Sequence, residues 1–348
     1  MSREHLTSGR VLTWTAVLAV LLLVSLVVAG SVGAVRIPIL RLFGFGESLE
    51  ADDQLRFMRI LLQVRLPRVL LAAILGGALT VAGIVFQALL RNPLADPYIL
   101  GVSGGASLGG VTALLLGLGA GTGLMSWIGV PGFAFLGALV ALVLIERIAS
   151  HGGRFTVHTI LLTGVIFNAF CAALIFFIQS IASLEQLHAI VFYLMGKVPD
   201  NLAYLPIGGF ALVSSAVVLS LFAMARDYNA MAMGEEGAMQ VGVDLERIKR
   251  RTFLLGSLLT GMAVSVAGLI GFVGLVVPHL LRIVLGPDHR LLIPTGFIGG
   301  ATFLVLADLL ARTLAAPNEI PVGVVTALVG GPFFLYLLRS KGRDYAFS

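Results

Sequence analysis

The sequence predicts an all-α polytopic membrane protein of about ten transmembrane helices with an inverted internal repeat. Three observations carry that expectation: an extreme apolar composition, uncharged runs longer than a soluble core helix needs, and one segment that recurs at a fixed offset. Of 348 residues, 58% are hydrophobic and 12% charged, about half the charged share of a soluble domain. The mean hydropathy is +1.02. No water-soluble fold hides this much apolar side chain, because a chain of this size keeps too much surface in water. A soluble enzyme, a secreted disulfide scaffold and a disordered chain are thereby excluded. A single cysteine, Cys171, allows no internal disulfide and no thiolate metal cluster. The net charge of +5 comes from scattered basic residues, not from the stripe that nucleic acid requires.

The spans follow in order. Val11–Val35 runs for 25 residues without Asp, Glu, Lys or Arg, Pro97–Ile145 for 49, and Phe155–Leu184 and Thr252–Leu281 for 30 each. A helix crosses about 30 Å of hydrocarbon with about 20 residues. The longest run therefore crosses twice, breaking at the glycine cluster Gly117 to Gly123. Spans are expected near 11–34, 66–90, 99–117, 124–146, 157–181, 204–224, 251–270, 273–286, 291–311 and 321–338. The eighth is short because Gly271, Gly274 and Pro278 interrupt its run. The first is too long for a cleaved signal peptide, and no small-residue cleavage site follows it. Residues 1–348 read as one transmembrane domain, with repeat halves at about 60–200 and 245–340 and a cytoplasmic loop at 226–251.

Orientation follows from Lys and Arg. With both termini inside, fifteen of the 23 basic residues lie inside, among them Arg3, Arg154, Lys249 and Arg343. Six of the eight outside ones, Arg36, Arg41, Arg56, Arg59, Arg65 and Arg68, gather just before the second span. A basic cluster there works against the usual topological signal and asks for another purpose.

A shift of 185 residues brings Ala78-Leu-Thr-Val-Ala-Gly-Ile-Val85 onto Ala263-Val-Ser-Val-Ala-Gly-Leu-Ile270, Gly76 onto Gly261 and Pro93 onto Pro278. The second span runs inward and the seventh outward, so the copies are inverted, an arrangement found in transporters. Similar Gly/Ala/Val composition is the plainer account of such a match.

An ion-coupled carrier usually keeps ionisable residues at mid-membrane depth. Here Asp308 is the main exception, and Arg312, one helical turn later, explains it as a local ion pair. Gly196-Lys197 is followed by Val198 and lacks the spacing of a phosphate-binding loop. The chain thus carries no catalytic residues, no ion couple and no ATPase of its own, and energy for pumping must come from a partner. The largest inside loop, Arg226–Arg251, offers a contact point. Gly242 followed by Asp244 reads as a helix stop, a turn and a new N-cap. Two short helices on the membrane surface would form a knob for a cytoplasmic protein, although the composition also fits a plain basic loop.

Several stretches resemble a known family. Arg65-Leu-Pro-Arg-Val69, Gly83, Gln87, Arg91-Asn-Pro-Leu-Ala-Asp-Pro97 and Leu100-Gly-Val-Ser-Gly-Gly-Ala106 are similar to the permeases of the iron-siderophore, haem and cobalamin ABC importers. So are Gly271-Phe-Val-Gly-Leu-Val-Val-Pro-His279, Asp288-His-Arg290, Ala307-Asp308 and Pro321-Val-Gly-Val-Val325, so that the likeness runs from about residue 60 to 340. The Glu236-Gly-Ala-x-x-x-Gly242 spacing is similar to the ATPase-contacting motif of ABC permeases, with Gly237 where alanine is usual.

The resemblance implies a ten-span subunit in the cytoplasmic membrane of a bacterium or archaeon, working with a second permease copy, homodimeric or closely paralogous. It also implies two cytoplasmic ATPases that bind ATP and magnesium, and a soluble extracytoplasmic binding protein. No cofactor is expected on this chain. Arg65, Arg68 and Arg312 match the family's outer-face arginines, which pair with glutamates of the binding protein. Asn92 and Leu94, with Thr156 and Val157 at the start of the fifth span, match its cytoplasmic gate, where Val157 replaces a hydroxyl. Glu235, Glu236, Ala238 and Gly242 match its coupling segment. The expected function is import of a large metal chelate: ferric siderophore, haem or cobalamin. An ion-coupled secondary transporter on an inverted repeat is the alternative, and the missing mid-membrane carboxylates oppose it. A receptor or scaffold would need neither the repeat nor the loop. His188, Phe192, Tyr193 and Met195 near the outer end fit packing as well as substrate contact.

Overall fold

Apolar runs of twenty residues or more, punctuated by glycine and proline rather than by charge, form helices wherever the computed structural model describes the chain. That covers residues 8–33, 35–42, 44–45, 50–118, 124–150, 155–200 and 202–341. Helix α1 is Ser8–Ser31. Helix α2 runs unbroken from Ala51 to Leu89, with a π-helical stretch at Ile60–Arg65. Then come α3 (Val102–Leu115), α4 (Leu124–Ala149), α5 (Val157–Ile181), α6 (Leu184–Met195) and α7 (Tyr204–Ala223). Two short helices, α8 (Ala225–Met231) and α9 (Glu235–Gln240), precede α10 (Leu245–Ala267), α11 (Val273–Leu285), α12 (His289–Thr313) and α13 (Val322–Lys341).

All ten expected spans are helices: α1 to α5, α7, and α10 to α13. Part of the expected break at Gly117–Gly123 lies outside the described residues, as do Arg3, Arg154 and Arg343 of the orientation argument. Besides a single turn at Ile39–Leu42, two longer helical segments were not expected. Helix α2 begins well before its apolar stretch, in a polar segment, Ala51–Arg59, with no buried residue. Helix α6 starts with a capping box: the Ser183 hydroxyl accepts from Gln186 N, and Gln186 Oε1 accepts from Ser183 N. The Ser-x-x-Gln spacing was readable in the sequence, but twelve residues are too few to register as a span.

Burial sorts the long helices. In α2, 83% of the apolar window lies inside the protein, against 22% in α5 and 6% in α1. Helix α2 is therefore the centre, and α1 and α5 face lipid or a partner. Helices α2 and α10 pack antiparallel. Phe86, near the C-terminal end of α2, lies against Gly256, early in α10, while Leu75 and Leu79 share an apolar cluster with Met262 and Ala263. The repeat is visible as exchanged packing. Gly76 of α2 abuts Gly300 of α12, and its equivalent Gly261 of α10 abuts Ala138 of α4. Each half thus lays its first helix on the third span of the other half.

Such contacts need glycine. A Cβ on Gly83 would sit 1.9 Å from the Gly274 carbonyl oxygen, inside backbone that cannot yield. Gly83→Val is expected to lower the thermal midpoint of the detergent-purified protein by a margin equivalent to about 3 kcal/mol. Gly208→Val on α7, where an added Cβ would meet no atom within 4 Å, should stay within about 0.5 kcal/mol of the parent. Equal effects at the two positions would contradict this packing.

Candidate functional site

One end of the bundle, the one expected to face outward, is organised by charge. Arg65, Arg68 and Arg312, expected on the outer surface, are instead turned inward, at 5%, 3% and 9% exposure. From α2, Arg68 donates through Nε and Nη2 to Asp308 Oδ1 of α12, at 3.0 and 2.9 Å. Its Nη1 donates to both oxygens of Glu319, at 3.1 and 3.0 Å, and to Asp200. Arg312 Nε lies 3.0 Å from Asp308 Oδ2, the local pair expected from their spacing. Lys197 reaches Asp200 at 2.9 Å and Glu319 at 3.2 Å. Three cations thus meet three carboxylates, the six groups drawn from α2, α12 and two loops. Burial alone would raise the Glu319 carboxyl, but Arg68 and Lys197 hold it below its ordinary value. Burial alone would lower Lys197, and Asp200 and Glu319 raise it instead.

Arg65 does something different. Its Nη1 donates to the carbonyls of Gly30 and Ser31 at 2.7 and 2.9 Å, and its Nη2 to that of Val35. Arg312 Nη2 donates to Ala29 O at 3.3 Å. Two guanidinium groups therefore close the C-terminal end of α1, where unpaired carbonyls and the negative end of the helix dipole favour cations. The physical reason for the inward turn is plain: at the hydrocarbon boundary these carboxylates and carbonyls need partners, and the nearest donors are the arginines of the same chain. Arg36, Arg56 and Arg59 remain exposed.

At the opposite end of the bundle, α9 closes as the Gly242 spacing foretold. Gly242 adopts φ +85°, its N–H donates to Met239 O at 3.0 Å, and Val243 N donates to Ala238 O at 3.1 Å. This pair of bonds is the Schellman stop. Asp244 then caps the next helix, its carboxylate accepting from Arg247 N at 3.1 Å. That next helix is α10, which continues into the membrane, so the second surface helix expected after Asp244 is not separate. The two short helices are α8 and α9. Ala238 is fully buried and Glu236 exposed. Glu235 accepts from Lys249 of α10 at 2.8 Å and pairs with Arg91, just past α2, at 3.1 Å. The hydrogen bond from Lys249, reinforced by the charges of Lys249 and Arg91, holds its carboxyl below the usual range despite partial burial.

The expected gate residues do not form one cluster. Asn92 Oδ1 accepts from Leu94 N at 2.9 Å, shaping the turn after Arg91, which has φ +48°. Thr156 begins α5, its hydroxyl 2.5 Å from that of Thr159. Thr156 and Val157 line a cavity of about 730 Å³ with Glu235, Met239 and Lys249. The α5 pair thus sits beside α9, and the Asn92 turn reaches α9 through Arg91. Sequence reasoning missed Arg91, Lys197, Asp200 and Glu319. Loop charges carry no periodic signal, although the Asn-Pro step after Arg91 marked a turn at that place.

The likeness to known proteins spans both ends. Residues 18–340 match the sequence pattern of the FecCD transport family. The chain is 44% identical over 283 residues to the cobalamin import system permease protein BtuC of Halobacterium salinarum, covering 80% of this chain and 73% of that one. It is 41% identical over 279 residues to the hemin transport system permease protein HmuU of Yersinia pestis, covering 80% and 83%. A solved ABC transporter of metal-chelate type, in an inward-facing conformation, superposes with a TM-score of 0.79 at 30% identity over 94% of this chain and 99% of that one. Because the family match begins within α1, ends within α13 and takes in both the arginine cluster and the Glu235 brace, the chain belongs to the FecCD transport family.

Proposed function

We propose that this chain is the permease subunit of a binding-protein-dependent ABC importer, carrying a large metal chelate into the cytoplasm while a partner ATPase hydrolyses ATP. The observation that carries this reading is Glu235. A short helix exposed to the cytoplasm is tied by one carboxylate to Arg91 after α2 and Lys249 on α10. Those two helices form the antiparallel centre of the fold, so a protein that moves α9 moves the core. Both termini lie on the cytoplasmic side. The relatives named for cobalamin and hemin are about equally similar to this chain, so the cargo class, a large metal chelate that is a siderophore, haem or cobalamin, is as far as the likeness supports.

Two copies assemble with two ATPases, and the cargo passes along the axis between them. Supporting this, α5 leaves Leu162, Ile166, Phe170, Phe176 and Phe177 exposed, and close glycine packing leaves little room for a channel inside one copy. The gate consists of Asn92, Leu94, Thr156 and Val157, all next to elements that touch α9. The binding protein docks on the outer end over the Arg68 cluster. Since Arg65, Arg68 and Arg312 are engaged by their own chain, its carboxylates meet Arg36, Arg56 and Arg59 first, and the three buried arginines hold the rim in shape.

Gly242→Val should uncouple ATP hydrolysis from uptake or prevent ATPase assembly. A Cβ added at Gly242 would meet no atom within 4 Å, so the effect comes from forcing a β-branched residue into positive φ, about 1–3 kcal/mol of local strain, and the membrane helices stay folded. Uptake of labelled ferric siderophore, haemin and cobalamin into vesicles, with ATPase activity measured alongside, tests this. Uptake and stimulated hydrolysis equal to the parent's for the transported cargo would contradict it.

For docking, the double change of Arg56 and Arg59 to Glu should weaken binding-protein affinity about tenfold and flatten its salt dependence, because exposed pairs are individually worth only about 0.2–1 kcal/mol but facing like charges cost several. Arg68→Ala should chiefly lower the thermal midpoint, since a buried Asp308 left without its partner costs about 3–5 kcal/mol. Unchanged affinity across a salt series in the double variant would remove this surface from docking.

A further inference from the structure

Helix α11 has 13 residues, a rise of about 20 Å, too short to cross a membrane alone. Helix α10 stops at Ala267, and residues 268–272 join it to α11 deep inside the bundle. Helix α2 sets the depth. A Cβ on Gly274 would lie 2.8 Å from Leu79 O, and Leu79 is near the middle of the apolar stretch Leu66–Leu89. Non-helical backbone at that level is tolerated only where other protein groups satisfy it. Within the link, Gly268 and Phe272 hold positive φ, +69° and +67°. For Phe272 that conformation is strained, and its ring is seated against Gly330 of α13, where only glycine leaves room for it.

Tyr98 satisfies the middle of the link. It sits in the single turn Pro97–Leu100 between α2 and α3. Its hydroxyl donates to Ile270 O at 2.9 Å and accepts from Ile270 N at 3.0 Å, so one phenol closes both backbone groups of a residue 172 positions away. The Tyr98 carbonyl is used as well. Asn168 Nδ2 of α5 donates to it at 2.8 Å, and Ser103 Oγ of α3 at 3.2 Å. A polar tie therefore runs from α5 through one residue to the link. Helix α5 packs on α3, α4 and the Pro97–Leu100 turn, and has no comparable packing against α10 or α11. The other side of the link is also held: Lys197 N donates to Ala267 O at 2.9 Å, and Gly323 N to Gly196 O at 3.2 Å.

We propose that residues 268–272 are the hinge of the transport movement and that Tyr98 is the positioning residue tying this hinge to α5. The proposal rests on the import reading for the movement it serves, in which α9 loads α10 and α5 faces the second copy. When α10 moves, the two positive-φ residues let α11 change its angle without unwinding either helix, and the Tyr98 tie carries the change to α5. Two observations favour a hinge over an inert bend. Strain of the kind held at Phe272 is retained where the surroundings over-determine it, as in switch regions. The groups of Ile270 are closed by a side-chain hydroxyl, so they can part and rejoin while every helical bond stays made.

The full-length chain is reconstituted in vesicles with its partner ATPase and binding protein, and cargo moved per ATP hydrolysed is measured for ferric siderophore, haemin and cobalamin. Tyr98→Phe is expected to lower that ratio about fivefold, a change within the usual range for residues that carry coupling. A merely structural role would reduce the amount of folded transporter, which scales uptake and hydrolysis together and leaves the ratio at the parent's value. Hydrogen exchange of peptides covering residues 268–274 is followed in the same complex. In the parent, ATP turnover should speed exchange there several-fold. In Tyr98→Phe, exchange should be about tenfold faster before ATP is added, the protection that one hydrogen bond supplies. Should that variant fold poorly, Asn168→Leu cuts the other end of the tie, leaves the Ile270 bonds in place and should lower the ratio likewise. A parent that moves none of the three cargoes counts against the import reading, and the hinge is then decided by the exchange measurement alone. Exchange at 268–274 that ATP does not alter in the parent, or a ratio equal to an active parent's in the variant that folds, overturns the hinge.

Discussion

The bond between Arg68 and Asp308 is the constraint around which one half of this protein, the end of the bundle away from α9, is arranged. A carboxylate at the hydrocarbon boundary is tolerated only when paired. Asp308 is fully buried and meets that condition by taking Arg68 from α2 and Arg312 from its own helix. Arg68 still has Nη1 free to draw in Asp200 and Glu319, and those two carboxylates collect Lys197. Arg312, held in place by Asp308, reaches the last carbonyls of α1. One desolvated charge thus fixes the positions of α1, α2, α12 and two loops, and two of the six basic residues that opposed the topological signal, Arg65 and Arg68, are accounted for by partners within the chain.

The rest of the bundle relies on close approach more than on charge. Gly83 against Gly274, Gly76 against Gly300 and Gly256 against Phe86 bring α2 within backbone distance of its neighbours. Without water there is little hydrophobic drive between helices, and packing of small residues supplies the association instead. This explains why the repeat-equivalent positions Gly76 and Gly261 are glycine or small: each sits where the first helix of one half crosses the third span of the other.

Much of this was legible beforehand. Run lengths located all ten spans, and the Gly242–Asp244 spacing located a helix stop and a cap to the residue, because both signals depend on a few neighbouring residues. The Asp308–Arg312 pair was legible for the same reason. What escaped was non-local. Nothing in Arg-Leu-Pro-Arg says whether its guanidinium groups face water or turn toward carboxylates 132 and 240 residues away. The second short helix was misplaced because the stretch after Asp244 is charged, although its helix simply continues into an apolar one. Helix α6 was too short to be counted, even with its capping box in view.

The Glu235 brace has a mechanical consequence. Helices α2 and α10 run in opposite directions, yet a single carboxylate grips Arg91 beyond the last turn of one and Lys249 in the second turn of the other. Force applied to α9 therefore loads both helices at the same end and in the same sense. Two antiparallel rods held this way do not shear past each other. Such a pair is built to tilt as one lever about its close contacts, so that displacement at the α9 end would become an opposite displacement at the Arg68 end without any helix having to lengthen, unwind or change register.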